Sequence, residues 1–460
     1  MLLSTPTRRL VASSSRTLVR QASTEAKKHY KIVVVGSGVK ESQLSASAGS
    51  AGLSVANQIY YRFKEAGTPL NKDDIAIIDA AEDHFYQPGW TLVGAGLKPK
   101  SDFRRPLKTL IPSHLTLIPE NASTFSPTSN SVDTTSGRSV SYDTLIVAAG
   151  LQINWDNIKG LPQALVDPNS GVSSIYSYST CDKVWSDIEG IRSGNAVFTQ
   201  PAGVIKCAGA PQKIMWMAWD RFRQTGRSDN VKTSFYTGMP SMFSVKKYSD
   251  ALNELRLQRG VEGHFEHNLI SVDTNNHKAT FKKADGSTVD VDYNTLHVAP
   301  PMGPLKFIKD SPIADSVGWV SVDQFSLQHT NPEYQNIFSI GDCSSLPTSK
   351  TAAAITAQAP VLTENVFSFM KNGKVNPLAK YDGYTSCPLL TGYGELMLAE
   401  FTYGAVPKET FGAFVDQAKP RRAFYHLKKA YQDIFPAAYW NWMVKGQWFG
   451  NRGLFRPKYE

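Results

Sequence analysis

The sequence predicts an α/β fold with two Rossmann-like dinucleotide-binding domains, the first of them discontinuous, and a C-terminal membrane-associating region. The first observation is a buried strand, a glycine-rich turn, a helix and a second strand within residues 29–150. The second is a strand that ends in Gly-Asp and leads into a helix within residues 326–380. The third is the alternation of helical and strand patterns across residues 151–325, which leaves residues 381–460 as the C-terminal region.

The overall composition is that of a globular protein. The chain has 460 residues, of which 41% are hydrophobic and 19% are charged, and this length is enough for two or three domains. No window of the sequence holds the roughly eighteen consecutive apolar residues that a transmembrane helix needs. The sequence therefore predicts no membrane-spanning helix.

Residues 1–24 have the composition of a mitochondrial transit peptide. They are rich in Arg and Ser, and no acidic residue precedes Glu25. A secretory signal is excluded because Arg8, Arg9 and Arg16 interrupt any apolar core. The alternative is a disordered basic tail.

A mitochondrial address disfavours structural disulfides, so the four cysteines are judged by their local chemistry. Cys207 follows Lys206 and precedes a helix predicted to begin at Pro211, and both features favour a thiolate. The alternative is that Cys207 is a small buried hydrophobic residue. Cys387 lies in a Gly- and Tyr-rich stretch, and spacing alone does not pair it with Cys207. The other cysteines are expected to be packing residues: Cys181 in a helix and Cys343 beside the nucleotide-binding loop.

The first glycine-rich turn is interrupted by an unusual segment. In the G-x-G-x-x-G pattern, a strand leads into a helix whose N-terminus binds a pyrophosphate. Gly36 and Gly38 supply the first two glycines, and Gly52 supplies the third only if residues 39–49 are removed. This segment is either looped outward or foreign, for example a retained in-frame intron. Asp79 ends the next strand and is expected to bind a ribose.

Two later elements favour a flavin nucleotide as the ligand. The apolar strand YDTLIVAAG ends in Gly150, and the strand NIFSIGD ends in Asp342 and precedes a helix from about Thr351. In flavoproteins with two dinucleotide-binding domains, this Asp contacts the ribityl chain and the helix N-terminus points at the flavin ring. The three elements in this order predict FAD binding.

The second Rossmann-like unit lacks a glycine fingerprint. Its strand NAVFT runs into Gln200-Pro201-Ala202-Gly203-Val204, where proline and a branched residue replace the glycines that let a pyrophosphate approach. NAD(P)H binding is therefore disfavoured, and another electron donor is expected.

Over nearly everything after residue 30, the chain resembles the mitochondrial sulfide:quinone oxidoreductase family of animal and fungal type. The resemblance implies a flavoprotein with two dinucleotide-binding domains whose second domain has lost its pyridine-nucleotide function. The most specific matching segments are HFYQPGWTLVGAG (84–96), VIKCAGAPQKIM (204–215), LHVAPPM (296–302), GWVSVD (318–323), IGDCSSLPTSKTAAA (340–354) and KYDGYTSCPLLTGY (380–393).

The resemblance also implies roles for individual residues. Cys207 and Cys387 become a redox pair, bridged in the resting enzyme on the flavin face opposite the quinone, while His84 is expected to be structural. The inserted segment departs from the family pattern, and it interrupts the spacing on which the assignments of Gly36, Gly38 and Gly52 depend. The cofactor-binding residues predicted from the motifs and the resemblance are Gly36, Gly38, Gly52, Asp79, Gln87, Gly150, Asp342, Lys350 and Thr351.

The implied reaction is the oxidation of hydrogen sulfide. Hydrosulfide attacks the disulfide, Cys387 carries the resulting persulfide, and Cys207 faces the flavin. Glutathione or sulfite removes the outer sulfur, and FAD passes two electrons to ubiquinone. Lys350 and the helix N-terminus would stabilise negative charge on the flavin. The expected location is the matrix face of the mitochondrial inner membrane.

The C-terminal residues suggest how the chain reaches a membrane-bound quinone. Residues 419–460 contain nine Lys or Arg against two acidic residues, interleaved with Trp, Phe and Tyr. This mixture is typical of an interfacial amphipathic segment, so peripheral membrane association is expected. The alternative is an aromatic-rich tail packed on the core. Nothing else in the chain supports nucleic-acid binding.

Three alternatives compete with this interpretation. A type II NADH:quinone dehydrogenase would show an intact second glycine fingerprint and would not need the two cysteines. A flavin-dependent disulfide reductase would carry CxxxxC after the first fingerprint, and this chain has none there. The third is an inactive, flavin-free product of the interrupted glycine turn.

Overall fold

The structure is a computed structural model that describes residues 28–36, 49–424, 433–447 and 459. Four sequence predictions fall wholly or partly outside these residues: the transit peptide at 1–24, the glycine at Gly38, positions 39–48 of the inserted segment, and positions 425–432, 448–458 and 460 of the basic, aromatic C-terminal segment.

The α-helices follow the amphipathic patterns of the sequence. The longest of them begins after the N-cap Thr351, whose hydroxyl accepts a hydrogen bond from the amide of Ala354. In the described part of the chain the α-helices are α1 (Ser50–Glu65), α2 (Trp90–Gly94), α3 (Leu161–Val166), α4 (Cys181–Gly190), α5 (Ala210–Gln224), α6 (Lys246–Gln258), α7 (Lys306–Lys309), α8 (Ala352–Asn372) and α9 (Phe435–Ala438).

The strands form two large sheets and several small ones. In chain order they are β1 (Lys28–Val35), β2 (Ile75–Ile78), β3 (Asp83–Phe85), β4 (Arg104–Pro106), β5 (Thr116–Ile118), β6 (Ala122–Ser126), β7 (Ser131–Thr134), β8 (Ser139–Val147), β9 (Gln152–Ile153), β10 (Val172–Ser173), β11 (Gly194–Gln200), β12 (Val231–Thr237), β13 (Glu262–His264), β14 (His267–Asp273), β15 (Lys278–Lys283), β16 (Thr288–Asp292), β17 (Thr295–His297), β18 (Met302–Gly303), β19 (Ile337–Ser339), β20 (Thr385–Gly392), β21 (Glu395–Thr402) and β22 (Val406–Pro407).

The first large sheet is parallel in the order β5-β2-β1-β8, and β19 pairs with the C-terminal half of β8. The antiparallel strands β6 and β7 extend the sheet beside the other half of β8. The central strands are apolar and buried on both faces, as a parallel sheet covered by helices requires. Because β19 lies far along the chain, this unit is discontinuous, as the sequence predicted.

All the parallel strands of this sheet end at one edge. Gly36 follows β1, Asp79 follows β2, Gly150 lies beyond β8, and Asp342 lies beyond β19. The carboxyl edge of an open parallel sheet is where such folds bind ligands. The topology therefore collects the predicted nucleotide-binding residues at one place.

The second large sheet is also parallel, in the order β10-β17-β11-β12-β13. Helix α5 connects β11 to β12, and α6 connects β12 to β13. The α/β class with two Rossmann-like units is therefore confirmed. The exact domain limits given above remain a prediction.

The C-terminal part packs back onto the rest of the molecule. Strands β20 to β22 form an antiparallel sheet, and β20 packs against α5 and α8. Farther along, the Asn57 amide on α1 donates a hydrogen bond of 2.9 Å to the carbonyl of Val444. In the ranges that the structure describes, none of the helices is long and apolar enough to cross a membrane.

Candidate active site

Cys207 and Cys387 meet although 180 positions separate them in the chain. Cys207 lies in the loop between β11 and α5, Cys387 lies on β20, and their sulfur atoms are 3.8 Å apart. Both are present as thiols, and Cys387 is only 3% exposed. Since a disulfide holds its sulfurs about 2 Å apart, a small side-chain movement suffices to form the bond.

The backbone at Cys207 is unusual. Its φ is +47°, in the left-handed region that residues other than glycine rarely adopt. Its amide donates a 2.9 Å hydrogen bond to the carbonyl of Lys350, and its carbonyl accepts one of 2.7 Å from Ala210 at the start of α5. Strained backbone of this kind persists where surrounding contacts fix it and is concentrated at functional sites.

The surroundings favour a thiolate on Cys207. Its pKa is lowered well below the usual value of a thiol, first because Cys387 can donate a hydrogen bond to its sulfur. Burial opposes this effect, while the charge of Lys213, whose ammonium lies 3.5 Å from the sulfur, and the Gly209 amide reinforce it. The pKa of Cys387 is raised by the same hydrogen bond, by burial and by the charge of Cys207. The two thiols are therefore chemically different.

The cation beside Cys207 is Lys213, which sequence reasoning missed. Lys206, the neighbour in sequence, instead donates a 3.2 Å hydrogen bond from its ammonium to the side-chain oxygen of Gln87. Lys213 stands in the second turn of α5, which begins at Ala210 rather than at Pro211. The sequence feature that could have identified Lys213 is the Cys-x₅-Lys spacing across the start of this helix.

Gly209 allows β20 to approach α5 closely. A Cβ atom built on it would lie 2.5 Å from the sulfur of Cys387 and 2.5 Å from Leu389. Real Cβ atoms do not approach neighbours this closely, so no larger residue fits without moving Cys387. The absence of a side chain at this position sets the distance between the cysteines.

A cavity of about 510 Å³ lies beside Cys207, within the usual size range for ligand sites. The residues around it come from the first glycine turn, the ends of β8 and β19, the start of α8, the β20–β21 hairpin and α9. Its lining includes five predicted cofactor-binding residues, Gln87, Gly150, Asp342, Lys350 and Thr351, together with Tyr86, Trp90, Tyr176, Lys206, Lys213, Tyr384, Ser386, Glu400, Phe435 and Tyr439.

Two of the predicted glycines differ in how strictly they are required. A Cβ on Gly36 would lie 2.2 Å from a carboxylate oxygen of Asp79, so only glycine fits beside this buried acid. A Cβ on Gly52, in the first turn of α1, would meet only ordinary contacts, at 3.4 Å from Val34 and 3.5 Å from Ala148. Gly36 and Asp79 thus lie side by side at the carboxyl edge of the parallel sheet, where such folds bind nucleotides.

Lys350 is buried next to the start of α8. Its ammonium donates a 3.0 Å hydrogen bond to the carbonyl of Ser344 and lies 4.2 Å from the centre of the Trp319 ring. Burial lowers the pKa of Lys350, and the charge of Asp342 opposes that effect. Thr351 also exchanges a 2.7 Å hydrogen bond with the hydroxyl of Thr385 on β20.

His84 is fully buried and is tied to the C-terminal segment. Its ring nitrogen is hydrogen-bonded to the hydroxyl of Tyr439, and that hydroxyl also lies 2.5 Å from the hydroxyl of Ser50 at the start of α1. These contacts agree with the structural role expected for His84. They also attach the segment after α9 to the predicted phosphate-binding turn.

The remaining cysteines lie outside the pair. Cys181 is buried at the start of α4, and burial raises its pKa to about 12. The Cys343 thiol is buried 3.4 Å from the carbonyl of Val147, and burial raises its pKa as well. Both environments are those of packing residues, as expected.

The parallel sheets and the paired cysteines beside the cavity define an oxidoreductase with two Rossmann-like domains. A curated Schizosaccharomyces pombe protein named mitochondrial sulfide:quinone oxidoreductase is 50% identical over 463 residues, which cover 97% of this chain and 96% of the relative. A Dictyostelium discoideum protein of the same name is 42% identical, and the match covers 97% of this chain and 93% of the relative. The chain therefore belongs to the mitochondrial sulfide:quinone oxidoreductase family, which confirms the resemblance. No protein-family model matches the chain.

A solved structure has the same fold. The sulfide:quinone oxidoreductase of the hyperthermophilic bacterium Aquifex aeolicus superposes with a TM-score of 0.70 at 18% identity, covering 90% of this chain and 92% of that chain. At this identity the similarity supports the fold alone.

Proposed function

We propose that this chain oxidises hydrogen sulfide with the Cys207–Cys387 pair and a bound FAD, and that it transfers two electrons to ubiquinone. The observation that carries the proposal is the 3.8 Å contact between the two sulfurs at the wall of the large cavity. Family membership supports the choice of sulfide and quinone as substrates.

The residues around the cavity fit a flavin nucleotide. Gly150, Asp342 and the start of α8 line the cavity. Gly36 and the buried Asp79 follow β1 and β2 at the same edge of the sheet, outside this lining, and are proposed to bind the pyrophosphate and the ribose. Helix α8 has 21 residues and directs its positive N-terminus toward the cavity. Bound there, FAD would accept two electrons from the cysteines and pass them to the quinone.

The remaining predicted contacts belong to the same proposal. Gln87 and Lys350 line the cavity, and Thr351 caps α8 beside them. Gly52 lies in the first turn of α1, behind the glycine turn. Gly38 is retained as a proposed phosphate contact on the sequence pattern alone.

The position of the Lys213 ammonium beside Cys207 supports different roles for the two sulfurs. In thiol–disulfide exchange, the thiol of lower pKa leaves more readily. Hydrosulfide is therefore expected to attack the Cys387 sulfur of the bridged pair. The S–S bond breaks, Cys387 becomes a persulfide, and Cys207 leaves as a thiolate next to Lys213.

A second nucleophile completes the sulfur chemistry. A thiolate such as glutathione, or sulfite, attacks the outer sulfur of the Cys387 persulfide, takes that sulfur away and leaves Cys387 as a thiolate. Loss of two electrons from the two thiolates then re-forms the bridge. The short distance between the sulfurs supports this last step.

The proposed function also requires that the protein reach a membrane that contains ubiquinone. The C-terminal segment exposes Ile434 (58%), Phe435 (42%) and Trp442 (42%). Apolar side chains at this position suit peripheral contact with a bilayer that supplies ubiquinone. We place this contact at the matrix face of the mitochondrial inner membrane, after removal of residues 1–24.

The absorption spectrum of the purified protein tests the proposal. We expect a flavin spectrum that sulfide bleaches under anaerobic conditions and that ubiquinone restores. Bleaching by NADH would favour the NADH dehydrogenase alternative. A colourless protein that takes up no added FAD would support the inactive product.

The inserted segment needs a separate control. A variant that lacks residues 39–49 should bind FAD at least as tightly as the full chain, because the deletion restores the spacing of Gly36, Gly38 and Gly52. Sequencing of mature transcripts should find messages without these codons. Their presence in every message would rule out the intron.

A further inference from the structure

The β20–β21 hairpin presents different chemistry on its two faces. Side chains alternate along a strand, so Cys387 faces α5 while its neighbours point to the opposite face. The register pairs Cys387 with Ala399 and Ser386 with Glu400. The residues of this hairpin region that line the large cavity are Tyr384, Ser386, Pro388, Leu398 and Glu400.

Glu400 is a buried carboxylate with a complete set of donors. It is 3% exposed. One of its oxygens accepts hydrogen bonds of 2.5 Å from the Tyr384 hydroxyl and 2.7 Å from the Thr410 hydroxyl. The other oxygen accepts bonds of 2.8 Å from the Thr410 amide and 2.9 Å from the Gln417 side chain. Both carboxyl oxygens of Glu400 are therefore satisfied by hydrogen-bond donors from the protein.

The same bonds connect the cavity to solvent. Thr410 lies on the exposed surface beyond β22, whereas Tyr384 and Glu400 line the cavity. Hydroxyl and carboxyl groups within hydrogen-bond distance of one another can relay a proton. The chain of contacts Thr410–Glu400–Tyr384 is therefore a continuous path from bulk water to the interior.

We propose that Thr410, Glu400 and Tyr384 deliver a proton to the quinone as it is reduced. This inference rests on the proposed function, because it assumes that quinone is the electron acceptor. Reduction of a quinone to a quinol takes up two electrons and two protons. The electrons come from sulfide by the proposed reaction, and a reduced flavin would supply them together with one of the two protons, as a hydride equivalent. The other proton must cross from solvent into a mainly apolar cavity.

The number of protons is conserved along this path. The Tyr384 hydroxyl gives its proton to a quinone oxygen, and a proton that enters through Thr410 and Glu400 replaces it. No charge remains on Tyr384 or Glu400 afterwards beyond that of the resting state. Tyr384 is assigned as the terminal donor because it lines the cavity and its hydroxyl is a donor, whereas the Glu400 carboxyl group only accepts hydrogen bonds in this structure.

Several charged groups and one further hydroxyl face this network from neighbouring elements. The Tyr248 hydroxyl bonds the backbone of Glu400 and a carboxylate oxygen of Glu409, which also pairs with Lys247. Lys408 pairs with Asp382 and lies 5.9 Å from the Tyr384 ring centre. None of these groups lines the cavity. The other titratable residues of the lining are Tyr86, Tyr176, Lys206, Cys207, Lys213, Asp342, Lys350 and Tyr439. The relay is assigned to Tyr384 and Glu400 because Thr410 links them to the exposed surface.

The experiment isolates the oxidative half-reaction. The flavin of wild-type protein and of Tyr384→Phe is reduced with dithionite, and reoxidation by decylubiquinone is followed by stopped flow in H₂O and D₂O. We expect reoxidation to slow about 100-fold in Tyr384→Phe, the usual scale for loss of a proton donor. The solvent isotope effect and the pH dependence of this step should change with it, while quinone binding, measured by tryptophan fluorescence quenching, stays intact.

Matched variants separate a relay from a structural role. Tyr403→Phe removes a partly buried hydroxyl at the end of the same hairpin, which donates a hydrogen bond to the carbonyl of Gln324. Tyr403 is not among the residues that line the cavity, so reoxidation should be unchanged. Thr410→Val should slow reoxidation, and Thr410→Ser, which keeps the hydroxyl, should restore it. Reoxidation within twofold of wild type in Tyr384→Phe, or equal losses in Tyr384→Phe and Tyr403→Phe, would overturn the relay.

Sulfide bleaching is measured separately on the same proteins. Absence of bleaching in the wild type would contradict the proposed function but not the assignment of the proton path, because dithionite reduction bypasses the cysteines. Failure of ubiquinone to reoxidise the wild-type flavin would contradict both the proposed function and the proton path. A Tyr384→Phe variant that loses sulfide bleaching as strongly as reoxidation would show a structural role and overturn the relay.

Discussion

The ammonium of Lys213 lies 3.5 Å from the sulfur of Cys207, one helical turn inside α5. This contact and the Gly209 amide favour negative charge on the cysteine pair, and the hydrogen bond from the Cys387 thiol directs that charge to Cys207. The pKa of Cys207 is lowered while that of Cys387 is raised. The asymmetry gives the sulfur chemistry a direction.

Lys213→Met should raise the pKa of Cys207 by about one to three pH units, because an opposite charge at this distance is lost. Below its pKa the thiol is protonated, so alkylation of the reduced protein by iodoacetamide should begin at higher pH in the variant. Sulfide bleaching should slow about tenfold, since Cys207 becomes a poorer leaving group. Lys246→Met, at an exposed lysine of α6, serves as the control and should match wild type.

Cys207→Ser and Cys387→Ser should each retain the flavin spectrum yet lose sulfide-dependent quinone reduction by about three orders of magnitude or more, because neither exchange step survives without both sulfurs. Steady-state assays with sulfide and decylubiquinone give the comparison. Cys181→Ala, which removes a buried thiol away from the pair, should keep near-normal turnover. Activity close to wild type in either serine variant contradicts the redox role.

Gly209→Ala should disturb the pair without changing any charge. The added methyl group would lie 2.5 Å from the Cys387 sulfur, so either β20 or the sulfur must shift. Overpacking of this kind costs about 1–3 kcal/mol of stability. We expect a lower Tm and slower formation of the disulfide, measured by counting reactive thiols after reduction and air oxidation.

The matched control for this variant is Gly190→Ala, because nothing lies within 4 Å of a Cβ at Gly190. Its Tm and disulfide formation should equal those of wild type. Rapid, complete disulfide formation in Gly209→Ala would mean that the close approach is not required.

Asp342→Ala should weaken flavin retention, because a charged side chain at the end of β19 is lost from the cavity wall. Loss of a hydrogen bond from a charged group costs about 1.5–3 kcal/mol, which corresponds to about a 10- to 150-fold increase in Kd. The ratio of flavin to protein absorbance after gel filtration gives the retained fraction. Asp310→Ala, at an exposed acid directly after α7 that pairs with Lys306, should retain the full amount of flavin. Normal retention in Asp342→Ala would refute the assignment of Asp342.

The fold followed from the sequence because its signals are local. The apolar run before Gly36, the strand before Gly150 and the Gly341–Asp342 turn each identify a parallel strand and its carboxyl end, and a parallel sheet brings those ends together. The pairing of Cys207 with Cys387 was different. It came from family resemblance, since a distance across 180 positions has no local signal.

Other parts of the candidate site could not be read from the chain. The contact of Lys213 with Cys207 depends on the rotation of α5 about its axis and on a start one residue earlier than predicted. The cavity-facing position of Glu400 depends on the register of β20 with β21. A shift of the register by one residue would exchange the two faces of that hairpin, and the amino-acid composition does not specify the register.

The backbone bond from Cys207 to Lys350 has a mechanical consequence. It joins the loop after β11, in the second sheet unit, to the residue next to the N-cap of α8, in the first. Many two-unit enzymes swing one lobe against the other during turnover, and such a hinge would have to break this bond. We therefore expect the distance between the cysteine sulfurs and a bound cofactor to stay constant during turnover. Substrates would diffuse in and out without a movement of one sheet unit relative to the other.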